Sequence, residues 1–162
     1  MFMALMHRWS VFRNRIFVLL ALCSLCIAAC SDGPAPDSGV AKIIKERRDN
    51  YRRIGDAYKV LKETIESGSP DMALLQRSAT LIRDTGARQG RLFPPGSGQA
   101  SGAKTRARDA VWTQSQVFAQ RQEAFLTAAD ALLATSPDDA GHRFDAVTQA
   151  CLDCHADFRE KR

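Results

Sequence analysis

The chain has 162 residues, with 23 Lys and Arg against 18 Asp and Glu, a formal net charge of +5. Three of those arginines lie within the first 29 residues, so the 133 residues from Cys30 onward (162 minus 29) carry 20 basic and 18 acidic side chains, a net charge of +2. This length suits one domain with a hydrophobic core. No basic stripe with interleaved aromatic residues is present, which argues against nucleic-acid binding.

Residues 1–29 have the layout of an export signal, with a basic start and an apolar run from Ile16 to Ala29 that is too short to span a membrane. Cys30 follows small residues, an arrangement that resembles the lipobox of bacterial lipoproteins and implies lipidation of Cys30. An ordinary secretory peptide with a chance cysteine is the alternative. Because Ser31 rather than an aspartate follows, the resemblance implies a periplasmic protein anchored to the outer membrane.

The segment that follows the signal is predicted to be a tether. Residues 31–39 read SDGPAPDSG, and proline, glycine and serine in this density disfavour regular structure. Fully extended, these nine residues would reach roughly 30 Å. We therefore divide the chain into a signal peptide (1–29), a lipidated cysteine with its tether (30–39) and one folded domain (40–162).

The folded domain shows helical periodicity in four segments. Apolar residues recur at three- and four-residue intervals in each of them, and the Ser-Pro-Asp sequence at 69–71 and again at 136–138 is typical of a helix start. The joins are short except for one Pro- and Gly-rich loop at residues 88–103. The pattern predicts an all-α antiparallel four-helix bundle, with helices over residues 40–67, 69–86, 104–134 and 136–162.

The fourth helix carries Cys151-Leu-Asp-Cys154-His155, the pattern C-x-x-C-H. Both thiols can form thioethers with the vinyl groups of one haem, and the adjacent imidazole can bind the iron. On a helix, positions 151, 154, 155 and 158 share one face. The motif therefore predicts one covalent haem c, with Cys151 and Cys154 as anchors and His155 as the iron ligand.

Two other functions of a C-x-x-C pair fit the sequence less well. A thioredoxin-like redox pair belongs near a βαβ unit, and the pattern contains no strands. A structural zinc site needs four ligands, and beyond the motif the mature chain offers only His142 and the lipidation cysteine. Cys151 and Cys154 could also form a structural disulfide, which would leave the protein colourless.

The chain resembles the cytochrome c prime family over nearly all of residues 40–162. The resemblance rests on Arg47, Tyr51 and Ile54-Gly55, on Leu92-Phe93-Pro94, on Val111-Trp112 with Phe118, and on the closing stretch from Ala150 to Arg159. It implies a four-helix bundle with haem on the last helix and five-coordinate iron whose second face is occluded.

The resemblance also implies roles for four side chains. Arg47 lies on the apolar stripe of the first helix, where a charge is expensive unless paired; the family position implies a haem propionate partner, and snorkelling to solvent is the alternative. Tyr51 is implied to cover the distal face, with a core tyrosine or a phenolate ligand as alternatives. Arg159 is implied to lie by the proximal face, and Trp112 to pack in the haem pocket or simply in the core.

The motif and the family resemblance together imply a haem protein that binds small gases, nitric oxide or carbon monoxide, and exchanges electrons with an unknown redox protein. A six-coordinate electron-transfer cytochrome is the main alternative, although no good sixth ligand is evident. A peroxidase would need a distal acid–base group, and none is evident. We therefore do not expect an enzyme. Family members often form homodimers through the first two helices, and this sequence does not decide that point.

Overall fold

The computed structural model describes residues 38–161, so the predicted signal peptide, Cys30 and nearly all of the tether lie outside the described residues. Within residues 38–161, five α-helices follow one another: α1 (Ser38–Glu66), α2 (Met72–Gly86), α3 (Ala110–Thr113), α4 (Ser115–Leu133) and α5 (Ala140–Phe158). Short 3₁₀ turns cover Gln89–Leu92, Gln99–Ser101 and Pro137–Asp139. None of the helices within this range is long and apolar enough to cross a membrane.

The four long helices form the predicted bundle. α1 packs on α2, α2 on α4, and α4 on α5, while α3 is a single turn beside α4 and α5. Ten buried residues from all four long helices form what we call the main core: Ile54, Ala57, Leu61, Leu75, Ala79, Ile82, Leu132, Ala140, Phe144 and Val147. Helical periodicity brings these side chains to one face of each helix, and burial of those faces stabilises the bundle.

α2 begins later than the Ser-Pro-Asp sequence predicted. Asp71, and not Ser69, is the N-cap residue: its carboxylate accepts hydrogen bonds from the backbone amides of Ala73 and Leu74 at 2.9 and 3.1 Å. A charged carboxylate satisfies two of the free N–H groups at this helix end and also interacts well with the helix dipole. The predicted start of this helix at Ser69 was therefore wrong.

The second Ser-Pro-Asp sequence behaves as predicted only in part. Ser136 precedes a 3₁₀ turn in which Pro137 takes the first position, and α5 begins at Ala140. Ser136 makes no side-chain capping hydrogen bond.

The third predicted helix is the largest difference from the sequence analysis. Residues 104–109 are not helical, and a break at Gln114 separates α3 from α4. Instead, the amide of Arg108 donates to the carbonyl of Phe158, and the amide of Glu160 donates to the carbonyl of Arg106. These backbone groups are satisfied by the end of α5, a partner that is remote in sequence and that periodicity could not reveal.

One glycine determines how closely two helices approach. A Cβ atom built on Gly86, the last residue of α2, would clash with Cε1 of Phe125 on α4. The absence of a side chain at Gly86 therefore lets the Phe125 ring cover the end of α2.

Candidate haem site

The C-x-x-C-H motif occupies the last two turns of α5. Cys151, Cys154 and His155 are all half-buried, and both cysteines are free thiols. Cys151 packs against the main core, whereas Cys154 packs against a second, smaller cluster formed by Ala107, Val111, Phe118 and Phe158, which we call the motif-side core. The motif thus lies where the two cores meet.

Burial keeps the thiols of the motif neutral and leaves its imidazole suited to iron binding. Burial raises the pKa of the Cys151 and Cys154 thiols to about 11, so both are neutral at pH 7. Burial, together with the charges of Arg159 and Arg106, lowers the pKa of His155. A neutral imidazole keeps the lone pair that an iron ligand needs.

Tyr51 approaches the motif from α1. The side chains that interact electrostatically with its hydroxyl are Cys154, Arg47, Cys151 and Arg159, so the hydroxyl lies near the last turns of α5. The residue keeps 38% of its surface accessible, yet protein atoms crowd the hydroxyl, and this burial raises the pKa of Tyr51 far above its usual range. Tyr51 is therefore a neutral phenol.

Arg47 is almost fully buried, with 3% of its surface exposed, which rules out snorkelling to solvent. Its Nη1 donates to the Leu92 carbonyl and the Ser97 hydroxyl, and its Nη2 donates to the Ser97 carbonyl and the Thr105 hydroxyl, over distances of 2.8–3.2 Å. The guanidinium also lies 4.5 Å from the centre of the Phe93 ring. Arg47 thus ties α1 to the loop of residues 92–105.

Arg47 has no ion-pair partner among residues 38–161. All four of its hydrogen-bond acceptors are neutral, and it forms no ion pair with a described carboxylate. Burial consequently lowers the pKa of Arg47. A buried cation is expensive without an anionic partner, so this position favours an added negative group such as a propionate, for which Nε–H is the remaining donor.

Arg159 lies against His155, the predicted iron ligand. Its Nη1 is 3.5 Å from Nδ1 and 3.4 Å from Nε2 of His155, one helical turn earlier. The end of α5 is held in place by Arg121 on α4, whose guanidinium contacts Asp157 at 3.1 Å and Asp153 at 3.8 Å. The structure therefore brings the predicted Arg159 to the imidazole.

Trp112 anchors the loop from the other side. Its indole N–H donates to the carbonyls of Phe93 and Pro94, both at 3.1 Å. The ring packs against the motif-side core, which also contacts Cys154. A surface pocket of about 480 Å³ lies next to Trp112 and Phe118, but none of the motif residues lines it, so we do not assign it to the haem site.

Sequence reasoning missed the residues that hold Arg47. Ser97, Thr105 and the ring of Phe93 lie in a Pro- and Gly-rich stretch without periodicity. The signal that could have pointed to them was indirect, because a charge on an apolar stripe requires partners.

The described residues do not favour the metal alternative. No group of three or more His, Cys, Asp or Glu within residues 38–161 could hold a metal ion. His142 is 79% exposed near the start of α5, as expected for a surface histidine. By contrast, two thiols, a neutral imidazole and a buried cation without a carboxylate fit a covalently attached haem with its propionates.

A four-helix bundle with C-x-x-C-H on its last helix defines the class of c-type cytochromes built on helical bundles. The family model described as Cytochrome C' matches residues 42–159. The chain therefore belongs to the cytochrome c' family, and its cofactor is a covalently bound haem c. Proteins of this family are typically periplasmic.

Solved structures share the fold. Cytochrome c' from Thermochromatium tepidum is 22% identical with a TM-score of 0.70, over 78% of this chain and 100% of that one. Cytochrome c' from Rubrivivax gelatinosus is 21% identical with a TM-score of 0.69, over 75% and 97%. A nitric oxide complex of a mutant cytochrome c prime from Alcaligenes xylosoxidans is 20% identical with a TM-score of 0.69, over 81% and 100%. No curated protein matches the chain.

Proposed function

We propose that this protein is a periplasmic haem protein with high-spin, five-coordinate iron that binds small uncharged gases, nitric oxide above all. The observation that carries the proposal is the side chain that α1 directs at the motif, which is a neutral tyrosine, while α1 contains neither methionine nor histidine. When bound, the haem supplies an iron centre that can take a small ligand and change between the ferric and ferrous states.

The positions of the other ligand-type side chains support five-coordination. Met72, at the start of α2, packs against the main core and not against the motif-side core. His142 is exposed and lies 3.8 Å from Asp139, three turns before the motif. Apart from the motif itself, the described residues thus place no strong iron ligand next to the motif.

Tyr51 is proposed to act as a lid over the distal face. A neutral phenol is a weak iron ligand, and its ring occupies space that an incoming gas must enter. Such an apolar cover selects against ligands that require several hydrogen bonds, although the hydroxyl can still donate one. Gas entry then depends on movement of the Tyr51 side chain.

The remaining predicted residues have supporting roles in this proposal. Cys151 and Cys154 anchor the group to α5, and His155 keeps its lone pair for the iron because burial and neighbouring cations disfavour the imidazolium. Arg47 offers its buried charge and its Nε–H to a propionate. Arg159 excludes water from one side of the imidazole and keeps it neutral.

The solved relatives support the gas ligand by analogy. Three nitric oxide complexes of mutants of the Alcaligenes xylosoxidans protein share this fold, with TM-scores of 0.67–0.69.

The spectrum of the reduced holoprotein tests the coordination state. We expect broad high-spin bands that change when carbon monoxide or nitric oxide is added. Sharp low-spin bands that neither gas alters would establish a sixth ligand, and the six-coordinate electron-transfer cytochrome would replace this proposal.

Substitution of Tyr51 tests the lid. Tyr51→Ala should increase the rate of carbon monoxide binding at least about tenfold, the effect expected when a steric barrier of about 1.4 kcal/mol is removed. Tyr51→Phe is the matched control, since it keeps the ring and removes only the hydroxyl. Equal rates in the wild type and Tyr51→Ala, measured by flash photolysis, would show that Tyr51 is not the lid.

We also propose that Cys30 carries lipid and that Ser31 directs the protein to the outer membrane. Labelled palmitate should be incorporated into the wild type and not into Cys30→Ser, and membrane fractionation gives the location.

A homodimer through α1 and α2 is part of the proposal because Val60 and Leu81 are exposed apolar residues on those helices. Sedimentation of the holoprotein distinguishes monomer from dimer, and the redox partner would be sought among periplasmic electron-transfer proteins.

A further inference from the structure

The charges of the bundle are segregated along its length. We call residues 38–53, 87–121 and 150–161 the cofactor end, and residues 54–86 and 122–149 the far end. The cofactor end contains 14 basic and 6 acidic residues, a net charge of +8, whereas the far end contains 5 basic and 10 acidic residues, a net charge of −5. Two haem propionates would lower the first value only to +6.

The cations of the two ends also differ in their partners. At the far end, four of the five cations form ion pairs: Lys59–Glu63, Lys62–Glu66, Arg83–Asp130 and Arg143–Asp139. At the cofactor end, seven exposed cations make no ion pair with any carboxylate in residues 38–161: Lys42, Arg48, Arg53, Arg88, Arg91, Lys104 and Lys161. Their charge is therefore available to an external anionic surface.

The position of the start of α1 favours a membrane, and not an acidic protein, as the anionic surface. α1 begins at Ser38, nine residues before Arg47, so the first residue of this helix belongs to the cofactor end. Only seven residues separate Cys30 from Ser38, and a fully extended chain of that length reaches about 25 Å. A lipid on Cys30 would thus hold the basic end, and not the acidic end, close to the headgroups.

We propose that the cofactor end docks on an anionic phospholipid surface, with the exposed cations of α1 and of the 88–104 loop facing the headgroups. The proposal extends the proposed membrane location of the protein and does not depend on its gas chemistry. An acidic redox protein would be attracted by the same charge. The membrane is favoured because the short link between Ser38 and a lipidated Cys30 would keep the cofactor end near the headgroups. Each cation near such a surface contributes about a fivefold increase in affinity.

Vesicle binding by the holo-bundle tests the proposal in the absence of the lipid anchor on Cys30. The holo-bundle consists of residues 38–162 with haem attached. The bundle suffices because 78% of this chain matches the whole of the Thermochromatium tepidum protein. We expect it to cosediment with vesicles of equal phosphatidylcholine and phosphatidylglycerol and not with phosphatidylcholine alone. High salt should release it, because ions screen exposed charges.

Two matched triple variants locate the binding surface. Arg48→Glu, Arg53→Glu and Arg91→Glu at the cofactor end should together weaken binding at least about a hundredfold, from three contributions of about fivefold each. Lys59→Glu, Arg77→Glu and Arg143→Glu make the same change in net charge at the far end and should weaken binding only severalfold. Equal losses would show that net charge, and not the cofactor end, governs binding.

Other outcomes would also overturn the proposal. If the wild-type bundle ignores the anionic vesicles at low salt, or binds both kinds of vesicle equally, no electrostatic docking occurs. If the bundle does not bind the vesicles but binds soluble polyglutamate, the cofactor end binds an acidic protein instead. The carbon monoxide spectrum of every variant separates this result from the proposed function, because gas binding and vesicle binding can fail independently.

Discussion

The main core and the motif-side core lie in the same bundle but are built from different kinds of interaction. The main core consists of ten buried apolar residues from four helices, and four of the five cations of the far end form ion pairs. The motif-side core has four buried residues and is joined by edge-to-face aromatic contacts: the ring centres of Phe93 and Phe118 lie 4.9 Å apart, and those of Phe118 and Phe158 lie 5.1 Å apart. Beside it lies a buried arginine whose acceptors are all neutral.

This difference separates stability from function. The main core needs no cofactor to bury its side chains, because helix packing alone completes it. The motif-side region keeps half-buried thiols, a half-buried imidazole and an uncompensated cation, groups that a bundle built only for stability would avoid. The substitutions below test this contrast, from the largest expected effect to the smallest.

Removal of both thiols should abolish covalent haem attachment. The Cys151→Ser, Cys154→Ser variant has no sulfur to form a thioether, so haem should be extracted completely by acidic organic solvent and no haem stain should remain on a denaturing gel. Cys30→Ser is the matched control and should keep its stain. Retention of haem by the double variant would contradict the attachment sites.

Truncation in the main core should lower stability most. Leu132 on α4 is fully buried, so Leu132→Ala should reduce the free energy of unfolding by about 2–5 kcal/mol through lost burial and a cavity. Leu152→Ala, at a residue that is 56% exposed within the motif, should change it by less than about 0.5 kcal/mol. Urea denaturation of both holoproteins gives the comparison, and similar losses would argue against the assignment of the core.

Replacement of Arg47 should loosen the loop and leave the main core intact. Arg47→Leu removes the donors to the carbonyls of Leu92 and Ser97, and we expect a loss of about 2–4 kcal/mol. Hydrogen exchange should accelerate across residues 92–105 and stay unchanged around Leu61. Arg47→Lys keeps the charge but not the planar fork, so it should rescue the effect only in part. Uniform acceleration would show that Arg47 has no local role.

The two buried thiols should lower the stability of the haem-free protein at alkaline pH. Burial raises the pKa of both thiols from 9.0 to about 11, so the folded apoprotein disfavours the thiolates. The thiols' contribution to stability is fully present below pH 9 and is lost as the pH rises towards 11. Thioethers do not titrate. The urea midpoint should therefore fall more between pH 8 and pH 11 in the apoprotein than in its Cys151→Ser, Cys154→Ser variant. Equal falls would show that burial does not raise the pKa of the thiols.

Sequence patterns were reliable where the determining interactions are local. The predicted bounds of the first helix, residues 40–67, agree closely with α1 because the apolar stripe and Gly68 are features of consecutive residues. The predicted helix at 104–134 began too early, because the backbone of residues 106–108 pairs with the end of α5. The same limit hid the partners of Arg47, which lie 45–58 residues further along the chain.

By itself, the sequence determined the all-α class and the covalent haem, because helical periodicity and the C-x-x-C-H spacing are encoded over a few residues, and the resemblance at residues such as Arg47, Tyr51 and Trp112 indicated the family. The tertiary structure decided what surrounds that motif. It alone placed Tyr51 opposite the cysteines, bound the Arg47 guanidinium to neutral acceptors of the loop, and gathered the unpaired cations at the end where α1 begins. Such contacts join residues distant in the chain, and only the packing of helices brings them together.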